Sequence, residues 1–264
     1  MTPTVAQRPD QRMGGPVTTT GRGGQRASVR DRPWWRAAVP GGDGEPARRT
    51  PCGGGHRCPV VMATLDAQLL VGAALAVAAG YLLGSVPVAV IVGRRHGIDP
   101  RSVGDRNPGY WNTKEALGPR AALPVLVGDT LKGTAAGLAG ALVAAGLGGG
   151  RVVVYVAVAA AMLGHAWPVF AGFVGGRSIL TFAGGMAVIS PPTFGVCVGM
   201  CVVVALATRS FAIGARLGVF SVPLVQLAFD EWRWAAATFL LMAVIGLRFA
   251  MAALTGRPPH REQR

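Results

Sequence analysis

The sequence predicts an all-α, polytopic integral membrane protein with about seven transmembrane helices. The first observation behind this fold class is composition: 51% of the 264 residues are hydrophobic and only 14% are charged, with a mean hydropathy of +0.41. A soluble domain of this length cannot bury so large an apolar excess. The second is patterning, because from Leu65 the apolar residues form segments near the roughly 20 residues that cross a bilayer core.

The spans are expected near 67–93, 121–146, 152–172, 178–191, 193–207, 211–229 and 234–254. The fourth and fifth are short, and Pro191-Pro192 between them favours a tight turn at the membrane edge, so six spans is an alternative. Glycines at helical spacing in the first two spans predict close contacts between helix backbones. They are Gly80, Gly84, Gly133, Gly137 and Gly140.

The flanks of this membrane domain, expected at 62–256, have a different composition. Residues 1–61 are rich in Arg, Gly, Pro and Thr, and we expect a disordered tail because they cannot bury enough apolar area to offset chain entropy. Met62 opens a complete apolar unit and is an alternative start. Cys52, His56 and Cys58 match no usual zinc spacing, so we predict neither a metal site nor a cofactor. Residues 257–264 form a short basic tail.

The charge distribution predicts an orientation in the cell membrane. The formal net charge is +14, and ten of the 26 basic residues lie in the first 61 positions. Most others fall in the loops after spans one, three, five and seven, which we therefore place on the cytoplasmic side. Such a charge is ordinary next to anionic lipid, so the expected partner is the bilayer and not nucleic acid.

The first polar stretch on that side covers residues 104–112, with the sequence GDRNPGYWN. Gly, Asn and Pro favour tight turns whose backbone N–H groups converge, and such turns bind anions with help from neighbouring Arg. The alternative is a solvated turn without a ligand.

The second stretch places Asp129 and Lys132 inside an apolar segment. Residues three apart are neighbours on a helix face, so the two can pair. Ionisable residues are rare in the membrane and indicate a functional site, and Lys132 is a candidate phosphate ligand. The alternative is a purely structural ion pair.

The third stretch covers residues 164–181 and contains Gly175-Gly176-Arg177 just before the fourth span. Free backbone donors, a helix N-terminus and a guanidinium would there surround one anion, which suits a phosphate. His165 is a candidate proton shuttle or hydrogen-bond donor, or a histidine at a helix end in the headgroup region.

These stretches, in this order and spacing, resemble the bacterial acyl-phosphate-dependent glycerol-3-phosphate acyltransferase family. Members read close to YLLGSIP, GSGNPGATN, DxxKG and GHxFPVFxxFxGGKGVAT, which correspond here to residues 81–87, 104–112, 129–133 and 164–181. The resemblance implies transfer of a fatty acyl group from acyl phosphate to glycerol 3-phosphate, giving lysophosphatidic acid and phosphate in phospholipid biosynthesis.

The resemblance also implies roles for particular residues. His165 and Lys132 are the expected catalytic residues. The expected substrate-binding residues are Asn107, Gly109, Asn112, Asp129, Gly175, Gly176, Arg177 and Thr181. No covalent nucleophile is needed, because acyl phosphate already carries a good leaving group, and positioning with charge neutralisation can supply much of the rate.

The chain departs from these motifs at several positions. In the first loop this chain has Asp105 where the motif has Ser, Arg106 where it has Gly, and Tyr110-Trp111 where it has Ala-Thr. In the last motif, Ser178 after Arg177 takes the place of a Gly. Asp105 is expected to repel a phosphate, and the lost glycines remove backbone freedom. Two alternative functions stay open: a catalytically silent homologue that binds lipid precursors or a partner protein, and a small transporter.

Overall fold

The computed structural model describes residues 59–255, with side chains from residue 67 onward. The described α-helices are α1 (Pro59–Gly84), α2 (Val88–Arg95), α3 (Tyr110–Leu117), α4 (Pro119–Leu147), α5 (Gly150–Ala166), α6 (Ile179–Ile189), α7 (Pro191–Thr208), α8 (Phe211–Phe220), α9 (Val222–Gln226) and α10 (Trp232–Leu254). A 3₁₀ turn covers Val169–Ala171. The all-α prediction is confirmed. The predicted tails lie outside the described residues except for 59–61, which begin α1. Cys52, His56 and Cys58, at which no metal site is predicted, also lie outside the described residues.

Five stretches of the described chain are long and apolar enough to cross a membrane: Ala67–Arg95, Pro119–Leu147, Gly150–Ala171, Pro191–Thr208 and Trp232–Leu254. Their outer faces expose large apolar side chains, such as Leu70 at 71% and Leu206 at 75%, which lipid can solvate and water cannot. The polytopic prediction is confirmed. The short apolar helices α6 and α8 occupy the places of two further predicted spans, and the count of about seven stays a prediction.

Prolines divide two of the predicted spans. The first is interrupted after Gly84 and resumes at Val88, because Pro87 has no N–H to continue the helical hydrogen bonds. The predicted span 211–229 is corrected to two short helices, α8 and α9, with Pro223 in the first turn of the second. The turn at Pro191 lies where it was predicted, between α6 and α7.

Glycines bring the central helices into close contact, as predicted. A Cβ on Gly80 or Gly84 would overlap backbone carbonyls of α5, and one on Gly133 would overlap the Thr181 carbonyl of α6. The central helices α1, α4, α5 and α6 therefore pack backbone to backbone. Beside them, Val158 and Met162 of α5 and Phe182 of α6 belong to the main buried cluster.

A polar network holds the N-terminal end of α10. Arg151 Nη1 lies 2.8 Å from Asp230 Oδ1, and its Nη2 donates to the Ile189 carbonyl at 2.7 Å. Burial by itself raises the pKa of Asp230, but the hydrogen bond and charge of Arg151 outweigh this and lower it. Because this end of α10 is fixed, Arg248, roughly 24 Å further along the helix, has a defined position at the opposite end of the bundle.

Candidate functional site

The buried charges of α4 form the centre of the site. Lys132 Nζ lies 3.0 Å from Asp129 Oδ1, and both side chains are almost fully buried. Lys132 also donates to the Val86 carbonyl at 3.1 Å, at the break between α1 and α2 that Pro87 causes. His165 Nδ1 lies 3.7 Å from the same Asp129 oxygen. The predicted pair therefore exists, and its contacts connect α4 to α5 and to the break between α1 and α2.

Hydrogen bonds within the first loop close it into a turn. Asp105 Oδ1 accepts a hydrogen bond from the Asn107 N–H at 3.0 Å. Asn112 is buried and donates through Nδ2 to the carbonyls of Pro100 at 2.6 Å and Val103 at 3.1 Å. Arg106 has a left-handed backbone with φ of 57°. Asn112 thus holds the loop from inside.

The third stretch is folded tightly around His165. A Cβ on Gly175 would overlap the His165 carbonyl, and one on Gly176 would overlap the imidazole Nε2. The Gly176 N–H donates to the His165 carbonyl at 3.0 Å. The prediction that both glycines offer free backbone donors is therefore wrong for Gly176, because closure of this turn uses its N–H.

Arg248 of α10 is a site residue that lies outside the predicted motifs. Its Nη2 donates to the Gly175 carbonyl at 2.6 Å and its Nε to the Gly176 carbonyl at 3.1 Å, and its guanidinium lies 5.2 Å from the Trp167 ring centroid. The sequence contains a signal for this residue, because burying an arginine inside an apolar span costs free energy and such residues usually have a functional role.

The first and third stretches meet through an ion pair. Arg177 Nη2 lies 3.0 Å from Asp105 Oδ2, and the Arg177 guanidinium stacks over Phe249 of α10 at 4.5 Å. A second bridge runs from Arg101, which binds Asp99 and donates to the Ala171 carbonyl at 3.0 Å. The hydrogen bonds from Arg101 lower the pKa of Asp99 to about 2, so Asp99 is ionised at neutral pH.

The predicted site residues line two neighbouring cavities. Asp129, Lys132, His165, Gly175 and Gly176 line a small one of about 10 Å³, together with the Val86-Pro87 break. A larger one of about 90 Å³ is lined by Asp105, Asn107, Arg177, Arg248, Met251, Ala252 and Thr255.

Three predicted substrate-binding residues lie outside both cavities. Gly109 caps α3 and accepts from Thr113 Oγ1 at 3.0 Å. Asn112 is held within the loop, as described above. Thr181, in the first turn of α6, is fully buried, and its Oγ1 has no hydrogen-bond partner among the described residues. None of the three therefore lines either of the two cavities.

The arrangement suits the handling of phosphate groups. Three cations, on Lys132, Arg177 and Arg248, lie at one end of an apolar bundle, next to a histidine and a cavity with room for several waters. Guanidinium and ammonium groups are strong donors to phosphate oxygens. Among the side chains that the structure describes, those of residues 67–255, no group of three or more His, Cys, Asp or Glu is placed to hold a metal ion.

Comparison with known proteins gives matches to the part of the chain that forms the membrane domain. Residues 74–254 match the protein family described as glycerol-3-phosphate acyltransferase. A relative with that name from Rubrobacter xylanophilus is 42% identical over 143 residues, which are 54% of this chain and 70% of the relative. One from Neisseria meningitidis serogroup C is 35% identical over 173 residues, 64% of this chain and 86% of the relative.

The fold is also similar to solved structures. The crystal structure of PlsY (YgiH), an integral membrane glycerol 3-phosphate acyltransferase, in its glycerol 3-phosphate form, is 28% identical with a TM-score of 0.59. Its lysophosphatidic acid form is 27% identical with a TM-score of 0.58. Each comparison covers 72% of this chain and 94% of the other.

Proposed function

This chain belongs to the glycerol-3-phosphate acyltransferase family, and on that premise we propose that it transfers a fatty acyl group from acyl phosphate to glycerol 3-phosphate. The products are lysophosphatidic acid and inorganic phosphate. The observation that carries the proposal is the meeting of the first and third stretches and the buried Asp129–Lys132 pair at one end of an apolar bundle. Such a site can hold phosphate groups while an acyl tail lies among the helices.

The reaction requires no covalent intermediate with the protein. A hydroxyl oxygen of glycerol 3-phosphate attacks the carbonyl carbon of acyl phosphate and forms the ester bond. The bond between that carbon and the phosphate oxygen breaks, and inorganic phosphate leaves with the electron pair. The hydroxyl proton passes to the leaving phosphate, directly or through His165. Positive charge beside the leaving group then lowers the barrier.

The described contacts support distinct roles for the site residues. Lys132 neutralises phosphate charge from within the bundle, and Asp129 holds the lysine in place. Arg177 and Asn107 bind phosphate at the larger cavity. Gly175 and Gly176 give His165 its position, Gly109 and Asn112 hold the backbone of the first loop, and Thr181 fills buried space in α6.

The proposed location is the cell membrane, with the site at the cytoplasmic face. The loops that meet at the site carry most of the basic residues of the membrane domain, which is typical of cytoplasmic loops. The membrane transferase is favoured over a silent homologue or a transporter, because its relatives are named as acyltransferases.

The donor is tested with purified protein in detergent, labelled glycerol 3-phosphate, and either palmitoyl phosphate or palmitoyl coenzyme A. We expect labelled lysophosphatidic acid with palmitoyl phosphate and none above background with the thioester. Product with palmitoyl coenzyme A alone would contradict the proposed donor. A folded protein inactive with both donors would contradict the proposed reaction.

A further inference from the structure

The ion pair between Asp105 and Arg177 places a carboxylate on a guanidinium of the proposed phosphate site. The pair joins two loops far apart in sequence and is largely buried, with the side chains 5% and 15% exposed. We propose that Asp105 competes with substrate for Arg177, so that a phosphate group binds there only after it displaces the Asp105 carboxylate. The inference rests on the proposed function, in which Arg177 is a phosphate ligand.

The contact geometry makes this displacement feasible. Asp105 Oδ2 lies 3.0 Å from Arg177 Nη2, yet the oxygen has no well-aligned hydrogen bond from the described residues. A phosphate can offer two oxygens to the edge of a guanidinium in parallel hydrogen bonds, which is a stronger arrangement. An incoming phosphate therefore replaces a poorly aligned anion with a better one.

Exchange also keeps the buried Arg177 cation paired with an anion. Removing one member of a buried ion pair is strongly destabilising, because the other charge stays desolvated. When a phosphate replaces the carboxylate, Arg177 keeps an anionic partner throughout. Asp105 keeps the hydrogen bond that its Oδ1 accepts from the Asn107 N–H, so the turn stays intact while Oδ2 moves away.

The surroundings leave room for the exchange. The cavity of about 90 Å³ lies beside the pair, and about 10–15 Å³ of such a cavity is enough to hold one water. Phe249 supports the face of the Arg177 guanidinium at 4.5 Å and leaves its edge directed at the loop. The cation therefore stays in place while its anionic partner changes.

Competition of this kind determines which ligands the site accepts. The resembling motif has a serine hydroxyl where this chain has Asp105, and a neutral hydroxyl leaves the charge of Arg177 available. With Asp105 present, a ligand must carry enough negative charge to outcompete a carboxylate. We expect dianionic phosphate groups to bind and carboxylate or uncharged analogues to be rejected.

The test measures binding without turnover. Inorganic phosphate and glycerol 3-phosphate are titrated by calorimetry into purified parent protein and into Asp105→Asn, with Asp105→Ser as a second variant whose hydroxyl can still accept the Asn107 N–H. Both variants should bind inorganic phosphate at least about tenfold more tightly, since they remove a charged competitor. Asp99→Asn is the matched control, because this acid pairs with Arg101 and lies outside the cavity, and its affinity should equal that of the parent.

The outcomes separate this inference from the proposed function. If both Asp105 variants unfold at the same temperature as the parent in the presence of ligand but bind phosphate no more tightly than the parent, the proposal that Asp105 competes for Arg177 is overturned. Tighter inorganic phosphate without measurable glycerol 3-phosphate binding would support the competition and contradict the acceptor. An equal gain in Asp99→Asn would mean that general loop charge is responsible, which also overturns the inference.

Discussion

Arg106 and Ser178 show how single residues keep the loop shapes of the site. Both have left-handed backbones, with φ of 57° and 62°, and both stand where the resembling motifs have glycine. A side chain in this conformation costs roughly 1–2 kcal/mol. Ser178 recovers part of this through its hydroxyl, which donates to the Met162 carbonyl at 2.7 Å. The chain therefore forms left-handed turns at both positions without glycine.

Arg106→Gly should stabilise the protein by about 1 kcal/mol, because glycine adopts a positive φ without steric cost. The measurement is the thermal unfolding midpoint in detergent. Arg106→Ala is the control, since it removes the same exposed side chain and keeps the strained backbone. An equal gain in both variants would show that the arginine side chain, and not the backbone, is unfavourable.

Among the elements, α10 contributes most beyond what the motifs indicate. Its N-terminal end is fixed by Arg151 and Asp230, and near its other end Arg248 holds the carbonyls of Gly175 and Gly176. The helix therefore positions the turn that packs on His165. The sequence predicted the helix and the turn separately, but the register that brings Arg248 to the turn depends on tertiary packing.

Arg248→Gln should reduce acyl transfer about ten- to a hundredfold, because it removes charge-assisted hydrogen bonds worth roughly 1.5 to 3 kcal/mol. Initial rates with palmitoyl phosphate measure the effect. Arg233→Gln, on the exposed end of the same helix, should keep the parental rate. If Arg248→Gln also keeps that rate, the helix does not position the turn.

The other end of α10 should make stability depend on pH. The folded pKa of Asp230 is lowered, so its contribution is fully present above the ordinary aspartate value of about 3.9 and is lost as the pH falls through the folded value. Asp230→Asn should therefore unfold at a lower temperature than the parent at pH 7, with a smaller difference below about pH 4. Glu231→Gln, at an exposed ion pair, should unfold at the same temperature as the parent at every pH. If the unfolding temperature of Asp230→Asn is lower than that of the parent by the same amount at every pH, ionisation of Asp230 is excluded as the cause.

For the whole molecule, composition and spacing predicted the membrane fold, the close glycine contacts and the pairing of Asp129 with Lys132, because each follows from local sequence. The meeting of Asp105 with Arg177 could not be predicted in this way. It depends on how two loops are placed by helices distant in sequence. The sequence indicated Asp105 as a repulsive charge and Arg177 as an attractive one, but not that they bind each other.

The proposed orientation predicts that Ser102 faces the cytoplasm and Glu231 faces outward. Both are exposed, and single cysteines at these positions, with the native cysteines replaced by alanine, can be labelled in intact cells by an impermeant maleimide. Glu231→Cys should react directly, and Ser102→Cys only after permeabilisation. The reverse pattern would invert the proposed topology.

The central claim is that the buried pair on α4 belongs to an acyl-transfer site. The most direct test is the single-turnover rate from palmitoyl phosphate to glycerol 3-phosphate in the parent and in the double variant Asp129→Asn with Lys132→Met, which leaves no unpaired buried charge. Lys114→Met is the control, because that lysine stacks on Trp111 at 4.9 Å and lines neither cavity. The account predicts that the double variant, at an unchanged helix content, loses about ten- to a hundredfold in rate while the control keeps the parental rate. A parental rate in the folded double variant would contradict it.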